Sequence, residues 1–157
     1  MDHALCVSLN LFFAGLLAGI EFIVRFGVRH PIGVLAPGPQ IRFRQALIRS
    51  LRVSVPIIFL CTLVSAAAVI VFEPSLMRYA AATALLVWIL ATFAGTVPIN
   101  KAVLAWNAEA PPANWQAKIR AWERLDTLRT LAALLVFALL LAATVHMAAW
   151  PHICCIA

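Results

Sequence analysis

Four long apolar runs constrain the fold of this chain more than any other feature. They cover residues 4–24, 53–72, 79–97 and about 130–150. A helix needs about 20 apolar residues to cross about 30 Å of hydrocarbon, and each run has that length. A composition of 64% hydrophobic and 11% charged residues is typical of a membrane protein rather than a soluble one. The sequence therefore predicts an all-α protein, a single integral membrane domain of residues 1–157 with four transmembrane helices.

The basic residues are concentrated in two stretches between these runs. Eleven of the twelve Lys and Arg residues lie within 25–52 and 101–129, and Arg78 is the exception. Because Lys and Arg collect at the cytoplasmic ends of membrane helices, we expect both stretches in the cytoplasm and both termini outside, in the inner membrane of a bacterium. A net charge of +6 would suggest nucleic acid as a partner of a soluble protein. Here the topology accounts for it, so the lipid bilayer is the expected partner and nucleic acid is not.

The polar connections between the runs also carry structural signals. Residues 73–75 form a turn so short that the second and third transmembrane helices should be antiparallel neighbours in an antiparallel bundle. Residues 40–52 alternate arginines with apolar residues, which predicts an interfacial helix before the second transmembrane helix. Pro111 and Pro112 precede a helical pattern from Trp115 onward, which predicts a long cytoplasmic extension of the fourth helix.

A carboxylate near the end of the first run is the first candidate for chemistry. Glu21 in an apolar helix is costly unless it is paired or solvated. Arg25 follows at i+4 on the same helix face, and Asn10 lies on nearly the same stripe. Gly15 and Gly19 would let another helix approach beside this line. One interpretation is a Glu–Arg pair that holds the helix end at the interface, and the other is a carboxylate in a cytoplasm-facing cavity, acting as a base or anchor.

A second polar group lies where the fourth run begins. Trp122, Asp126, Arg129 and Thr130 have i, i+4, i+7, i+8 spacing and so share one helix face, and Asn100 follows the third run. Such residues entering an apolar environment need partners. We expect the bundle interior to collect five of these polar residues, either as a structural ion-pair network or as a site: Glu21, Arg25, Asn100, Asp126 and Arg129.

Three segments carry a resemblance to a known family. They are GLLAGIEFIVRFGVRH at 15–30, VPINKAVLAWN at 97–107 and NWQAKIRAWERLDTLRT at 114–130. In these the chain resembles small four-helix integral membrane proteins grouped with the anthrone oxygenases. Where members of that family commonly carry His, four residues before Thr130, this sequence has Asp126.

The resemblance implies an oxygenase that converts a lipophilic aromatic substrate, an anthrone-type polyketide, to a quinone with molecular oxygen, without an established cofactor. Such a reaction needs a base for the activated CH2 group and cationic or hydrogen-bonding groups for the resulting oxyanion. The candidate base is Glu21 or Asp126, and the candidate oxyanion groups are Arg25, Arg129 and Asn100. The candidate substrate-binding residues are Asn10, Trp106, Trp122 and Thr130.

Two alternatives belong to other functional classes. A small proton-coupled exporter of lipophilic compounds would also have four helices and a membrane-embedded Glu, but the guanidinium of Arg25 beside Glu21 would repel a cationic substrate. A non-catalytic membrane subunit would use the apolar faces and the Gly15/Gly19 line for assembly, and a homo-oligomer fits so small a bundle.

A metal or haem site at the outer surface is a further alternative. The four cysteines form no CxxC pair and have no zinc spacing, so the sequence predicts no cofactor. Imidazole and sulfur at the outer ends of the helices nevertheless suit copper or haem. The weak metal candidates are His3, His146 and His152, together with Cys6, Met147, Cys154 and Cys155.

Overall fold

The computed structural model describes residues 3–149, with side chains described through residue 146, and this part of the chain is helical without a β-strand. In chain order the elements are α1 (His3–Phe22), a π-helical segment (Ile23–Val28), α2 (Arg29–Gly33), α3 (Pro37–Phe72), α4 (Leu76–Leu90), a second π-helical segment (Ala91–Thr96), α5 (Val97–Leu104) and α6 (Trp115–Ala149). The prediction of an all-α fold is confirmed.

The described residues contain four continuous helices that are long and apolar enough to cross a membrane. These are His3–Gly33, Pro37–Phe72, Leu76–Leu104 and Trp115–His146, with 31, 36, 29 and 32 residues. Each of the four predicted apolar runs lies in one of them, apart from residues 147–150 at the end of the fourth run. The chain is therefore an integral membrane protein, as predicted.

The amphipathic segment 40–52 is helical, as predicted, and it lies in the first half of α3. Pro37 stands at the start of α3, where its missing N–H breaks no helical hydrogen bond. No break separates this segment from the apolar run that follows, and Pro56 is accommodated inside the helix. The buried polar side chains of Arg44 and Gln45 are satisfied by other parts of the chain, so this stretch packs against protein.

The helix ends elsewhere follow local sequence signals. Ser75 caps α4, since its Oγ accepts a hydrogen bond from the backbone N–H of Arg78 at 3.3 Å. α6 runs without interruption from Trp115, which confirms the predicted extension of the fourth helix beyond its apolar run. α3 and α4 are joined by the short turn 73–75 but make only a small contact with each other. The largest interfaces are instead between α4 and α6, α1 and α3, and α1 and α6.

The apolar core lies where α1, α4 and α6 meet. Six of its eleven buried residues are alanine, which lets the helix backbones approach closely. Gly15 serves the same purpose, because a Cβ there would lie 3.3 Å from the ring of Phe137 on α6. A Cβ on Gly19 would meet nothing within 4 Å, so only the first glycine of the predicted pair is at a close helix contact. This core holds α1 and α6 in register and so brings Glu21 beside Arg129.

Candidate active site

The carboxylate of Glu21 is buried between three helices. Its side chain is 4% exposed. Oε1 accepts a hydrogen bond from Nε1 of Trp88 on α4 at 3.1 Å and forms an ion pair with Nη2 of Arg129 on α6. The predicted need for a partner is met by Arg129, across the bundle, and not by Arg25 on the next helical turn.

Arg129 is held from several sides by the same group of residues. Its Nη1 donates to Oγ1 of Thr96 at 3.3 Å, and its guanidinium carbon lies 4.9 Å from the ring centroid of Trp88. Trp88 in turn stacks on Phe59 of α3 with centroids 4.9 Å apart. Nε of Arg129 is buried and has no hydrogen-bond partner among the described residues. Glu21, Trp88 and Arg129 therefore form a rigid triad that leaves one guanidinium N–H available.

Asp126 lies one turn before Arg129 on α6 and is only 1% exposed. Its Oδ2 has no hydrogen-bond partner within the part of the chain that the structure describes. The backbone around it is fixed, because Oγ1 of Thr130 donates to the Asp126 carbonyl at 2.9 Å and lies 3.4 Å from the Glu21 carbonyl. A buried carboxylate oxygen without a partner is costly, so Asp126 is a candidate acceptor for a group bound in the site.

A cavity of about 260 Å³ lies against both carboxylates. Its wall on the α3 side is largely apolar, with Leu47, Leu51, Val55 and Pro56. The polar side chains in the wall come mainly from the other helices: Glu21, Thr92, Thr96, Asn100, Lys101, Trp122, Asp126 and Arg129, with Arg52 from α3. An apolar chamber with a few convergent polar groups is typical of a small-molecule site.

Asn100 and Trp122 form the next layer of the cavity wall. Nε1 of Trp122 donates to Oδ1 of Asn100 at 2.9 Å, which orients the amide and leaves its N–H2 group to donate elsewhere. The guanidinium of Arg44 lies 5.4 Å from the Trp122 ring centroid. Arg44 and Arg29 both pair with the carboxylate of Glu123, at 3.2 and 2.8 Å. This second ion cluster fixes the end of the cavity wall that Trp122 forms.

Four of the residues predicted from the sequence lie away from the cavity wall. The guanidinium of Arg25 lies 5.6 Å from the ring centroid of Phe26. Nδ2 of Asn10 binds Oγ of Ser65 at 3.0 Å, an α1–α3 contact well away from Glu21. The backbone carbonyl of Trp106 accepts a hydrogen bond from Gln45. The hydroxyl of Thr130 donates to the backbone carbonyl of Asp126.

The weak metal candidates at the opposite end are also placed apart. Nε2 of His3 pairs with Glu73 at 2.8 Å. Among the described residues no group of three His, Cys, Asp or Glu side chains could hold a metal ion. Met147 has no described side chain, and His152, Cys154 and Cys155 lie outside the described residues.

Sequence reasoning missed several residues of this region. Trp88 carries no sequence signal beyond being an aromatic in the middle of an apolar run, and its N–H needed a buried acceptor. Arg44 belongs to the predicted amphipathic pattern and Glu123 carries no separate prediction, but the two side chains pair with each other between α3 and α6. Thr92 and Thr96 occupy the second π-helical segment, and such segments are frequent at functional sites.

Comparison with known proteins gives one match. A family model described as anthrone oxygenase matches residues 43–139, more than half of the chain. The matched segment contains Asn100, Trp122, Asp126 and Arg129, whereas Glu21 precedes it. No curated protein and no solved structure matches the chain.

Proposed function

The chain belongs to the anthrone oxygenase family, and from this premise we propose that it oxidises a lipophilic anthrone-type substrate to a quinone with molecular oxygen. The substrate would occupy the cavity of about 260 Å³. A planar polycycle partitions into lipid, and the apolar wall of α3 would accept its rings. The paired basic stretches support an orientation with the cavity in the cytoplasmic half of the bilayer and both termini outside.

The observation that carries this proposal is the unpartnered carboxylate of Asp126. Of the two candidate bases, Glu21 is engaged by Arg129 and Trp88, whereas Oδ2 of Asp126 is buried and free of hydrogen bonds to described residues, and the Asp126 residue lines the cavity. A general base must be able to reach the proton it removes. We therefore assign proton removal to Asp126 and a positioning role to Glu21.

The proposed reaction begins when Asp126 takes one proton from the activated CH2 group, which leaves an extended enolate. The enolate passes an electron to O2, and the resulting pair combines to form a C–O bond, giving a hydroperoxide at that carbon after protonation. Loss of the second C–H proton, with cleavage of the O–O bond, releases water and leaves the quinone carbonyl. One CH2 group and one O2 thus become one C=O group and one water, and Asp126 returns the proton it removed.

Negative charge on the substrate oxygen would be stabilised by Arg129 and Asn100. Arg129 contributes its free Nε–H, and Asn100 its side-chain N–H2. Preorganised donors of this kind act strongly in a water-poor cavity because they need not reorient during the reaction. Trp88, Glu21 and Thr96 supply that preorganisation by fixing the guanidinium.

The proposal is tested with the purified full-length chain in liposomes, given anthrone under air. Quinone absorbance and oxygen uptake are followed together, with empty liposomes as the measure of uncatalysed oxidation. We expect Asp126→Asn to lower kcat by about 100-fold or more, because general-base catalysis typically contributes about 10²–10⁴-fold. Substrate deuterated at the CH2 group should slow the wild-type protein and report on the proton-removal step.

A matched control is Glu109→Gln, which neutralises an exposed carboxylate that pairs with Arg42, and neither residue lines the cavity. This variant should keep wild-type turnover. If Asp126→Asn turned over anthrone within twofold of the wild type, the acid/base assignment would be wrong. If the wild-type chain produced no quinone above empty liposomes from any anthrone, the oxygenase proposal would fail.

The ion pair of Glu21 also weighs against the exporter alternative. An exporter's carboxylate must exchange a proton for a cationic substrate, and here Glu21 is already neutralised by Arg129 inside the bundle.

A further inference from the structure

Two cations on the cavity wall have no part in the reaction proposed above. Arg52 of α3 and Lys101 of α5 line the same cavity as Asp126, and both are exposed. Neither makes a hydrogen bond or an ion pair with any described residue. Both line a largely apolar cavity in which they form no ion pair, although Glu21 and Asp126 belong to the same wall.

None of the acidic residues of the described chain forms an ion pair with Arg52 or Lys101. Four of them pair with other cations: Glu21, Glu73, Glu109 and Glu123. Asp126 is on the cavity wall but forms an ion pair with neither Arg52 nor Lys101. Both cations are therefore available to an anion from outside this part of the chain.

Membrane topology explains why basic residues lie at helix ends, but it does not explain why Arg52 and Lys101 line the cavity. Arg49 is three residues before Arg52 on the same helix and is also exposed, yet it does not line the cavity. Ionisable side chains within membrane helices that face a cavity tend to mark substrate pathways. Arg52 and Lys101 reach one cavity from two different helices, which suits recognition of a single anionic group.

We propose that Arg52 and Lys101 bind a carboxylate substituent of the substrate. The substrate class is then an anthrone that carries an ionised carboxylate on a ring, away from the reacting CH2 group. Arg offers a planar fork to a carboxylate and Lys a compact charge, and both make charge-assisted hydrogen bonds. This inference rests on the proposed function for the rings but not for the anionic group, because binding can be measured without turnover.

The test compares two ligands, an anthrone carboxylic acid and its carboxamide, which have nearly the same shape but differ in charge. Binding is measured without oxygen by quenching of tryptophan fluorescence, since Trp122 lines the cavity. We expect the wild-type chain in phosphatidylcholine liposomes to bind the carboxylate about tenfold more tightly than the amide. The double variant Arg52→Gln/Lys101→Gln should bring that ratio close to one.

The matched control is Arg49→Gln/Arg124→Gln, which removes two exposed charges that do not line the cavity and lowers the net charge equally. It should keep the tenfold ratio. The inference is overturned if the wild type binds both ligands equally, a result that needs no variant to fold. It is also overturned if Arg52→Gln/Lys101→Gln keeps the ratio or if the control loses it.

An anionic lipid headgroup offers the same chemistry as a carboxylate, so the measurement is repeated in liposomes containing phosphatidylglycerol. A wild-type ratio that persists there supports a substrate site, whereas a ratio that falls to one shows that lipid headgroups occupy these cations and overturns the proposal. Failure of the two proposals can be told apart. A tenfold binding ratio without quinone formation would refute the oxygenase alone, and quinone formation without the ratio would refute this inference alone.

Discussion

The buried pair of Glu21 and Arg129 permits a quantitative prediction about stability. Their side chains are 4% and 11% exposed, so a change that removes one partner leaves the other charge inside the bundle. In Glu21→Gln the guanidinium loses its counter-charge and keeps a neutral amide oxygen, the Thr96 hydroxyl and the Trp88 ring, and in Arg129→Met the carboxylate keeps only the Trp88 N–H. Breaking a buried pair in this way costs about 3–5 kcal/mol.

The double variant Glu21→Gln/Arg129→Met removes both charges and should cost far less than the sum of the single changes. Taking about 3 kcal/mol for each single variant, we expect about 3 kcal/mol for the double one and a coupling energy of about 3 kcal/mol. The measurement is unfolding of the detergent-solubilised chain by added SDS, followed by far-UV circular dichroism. The free energy of unfolding is compared across all four proteins.

The exposed pair of Arg42 and Glu109 is the control, with side chains 54% and 75% exposed. The same cycle there should give a coupling energy of about 0.5 kcal/mol or less. Single changes at Glu21 and Arg129 that added within about 0.5 kcal/mol would refute the reasoning, because independent sites behave in that way.

Three further variants test other contacts. Trp88→Phe keeps the ring beneath Arg129 but removes the N–H donated to Glu21, so it should lower the free energy of SDS unfolding by about 1–2 kcal/mol, and an unchanged value would contradict that hydrogen bond. Asn10→Leu removes a hydrogen bond between membrane helices and should cost about 0.6 kcal/mol without changing turnover, whereas lost turnover would return Asn10 to the site. Asp126→His supplies another base at the same position and should keep kcat within about tenfold of the wild type, whereas Asp126→Asn should lower kcat by about 100-fold or more. Equal inactivity of the two variants would count against a base at this position.

Much of the fold could be predicted from the sequence because membrane crossing depends on local properties. Length and hydropathy of a run suffice to identify a helix long enough to cross the bilayer, since every backbone polar group there must be satisfied within the helix. The long α6 was predictable for a similar reason, as its helical pattern continues without a proline or glycine. The helix at 40–52 was predictable, but the burial of Arg44 and Gln45 was not, because it depends on α5, α6 and the loop after α5, which are remote in sequence.

The candidate site was predictable in part. The i, i+4, i+7 spacing on α6 correctly put Trp122, Asp126 and Arg129 on one face, and the cavity wall contains all three. The same logic misassigned the partner of Glu21. Spacing of i+4 presumes an α-helix, but a π-helical segment begins at Ile23 and shifts the angular position of Arg25.

The four apolar runs in the sequence are sufficient to predict four membrane helices. They also show that the polar residues at their ends require partners. Which partners they find depends on how the helices pack, because residues 108 positions apart, such as Glu21 and Arg129, meet only when α1 lies against α6. The same packing leaves Asp126 without a hydrogen bond to described residues and opens the cavity beside it. Local hydropathy carries no information about either result, since both arise from contacts between helices that are distant in sequence.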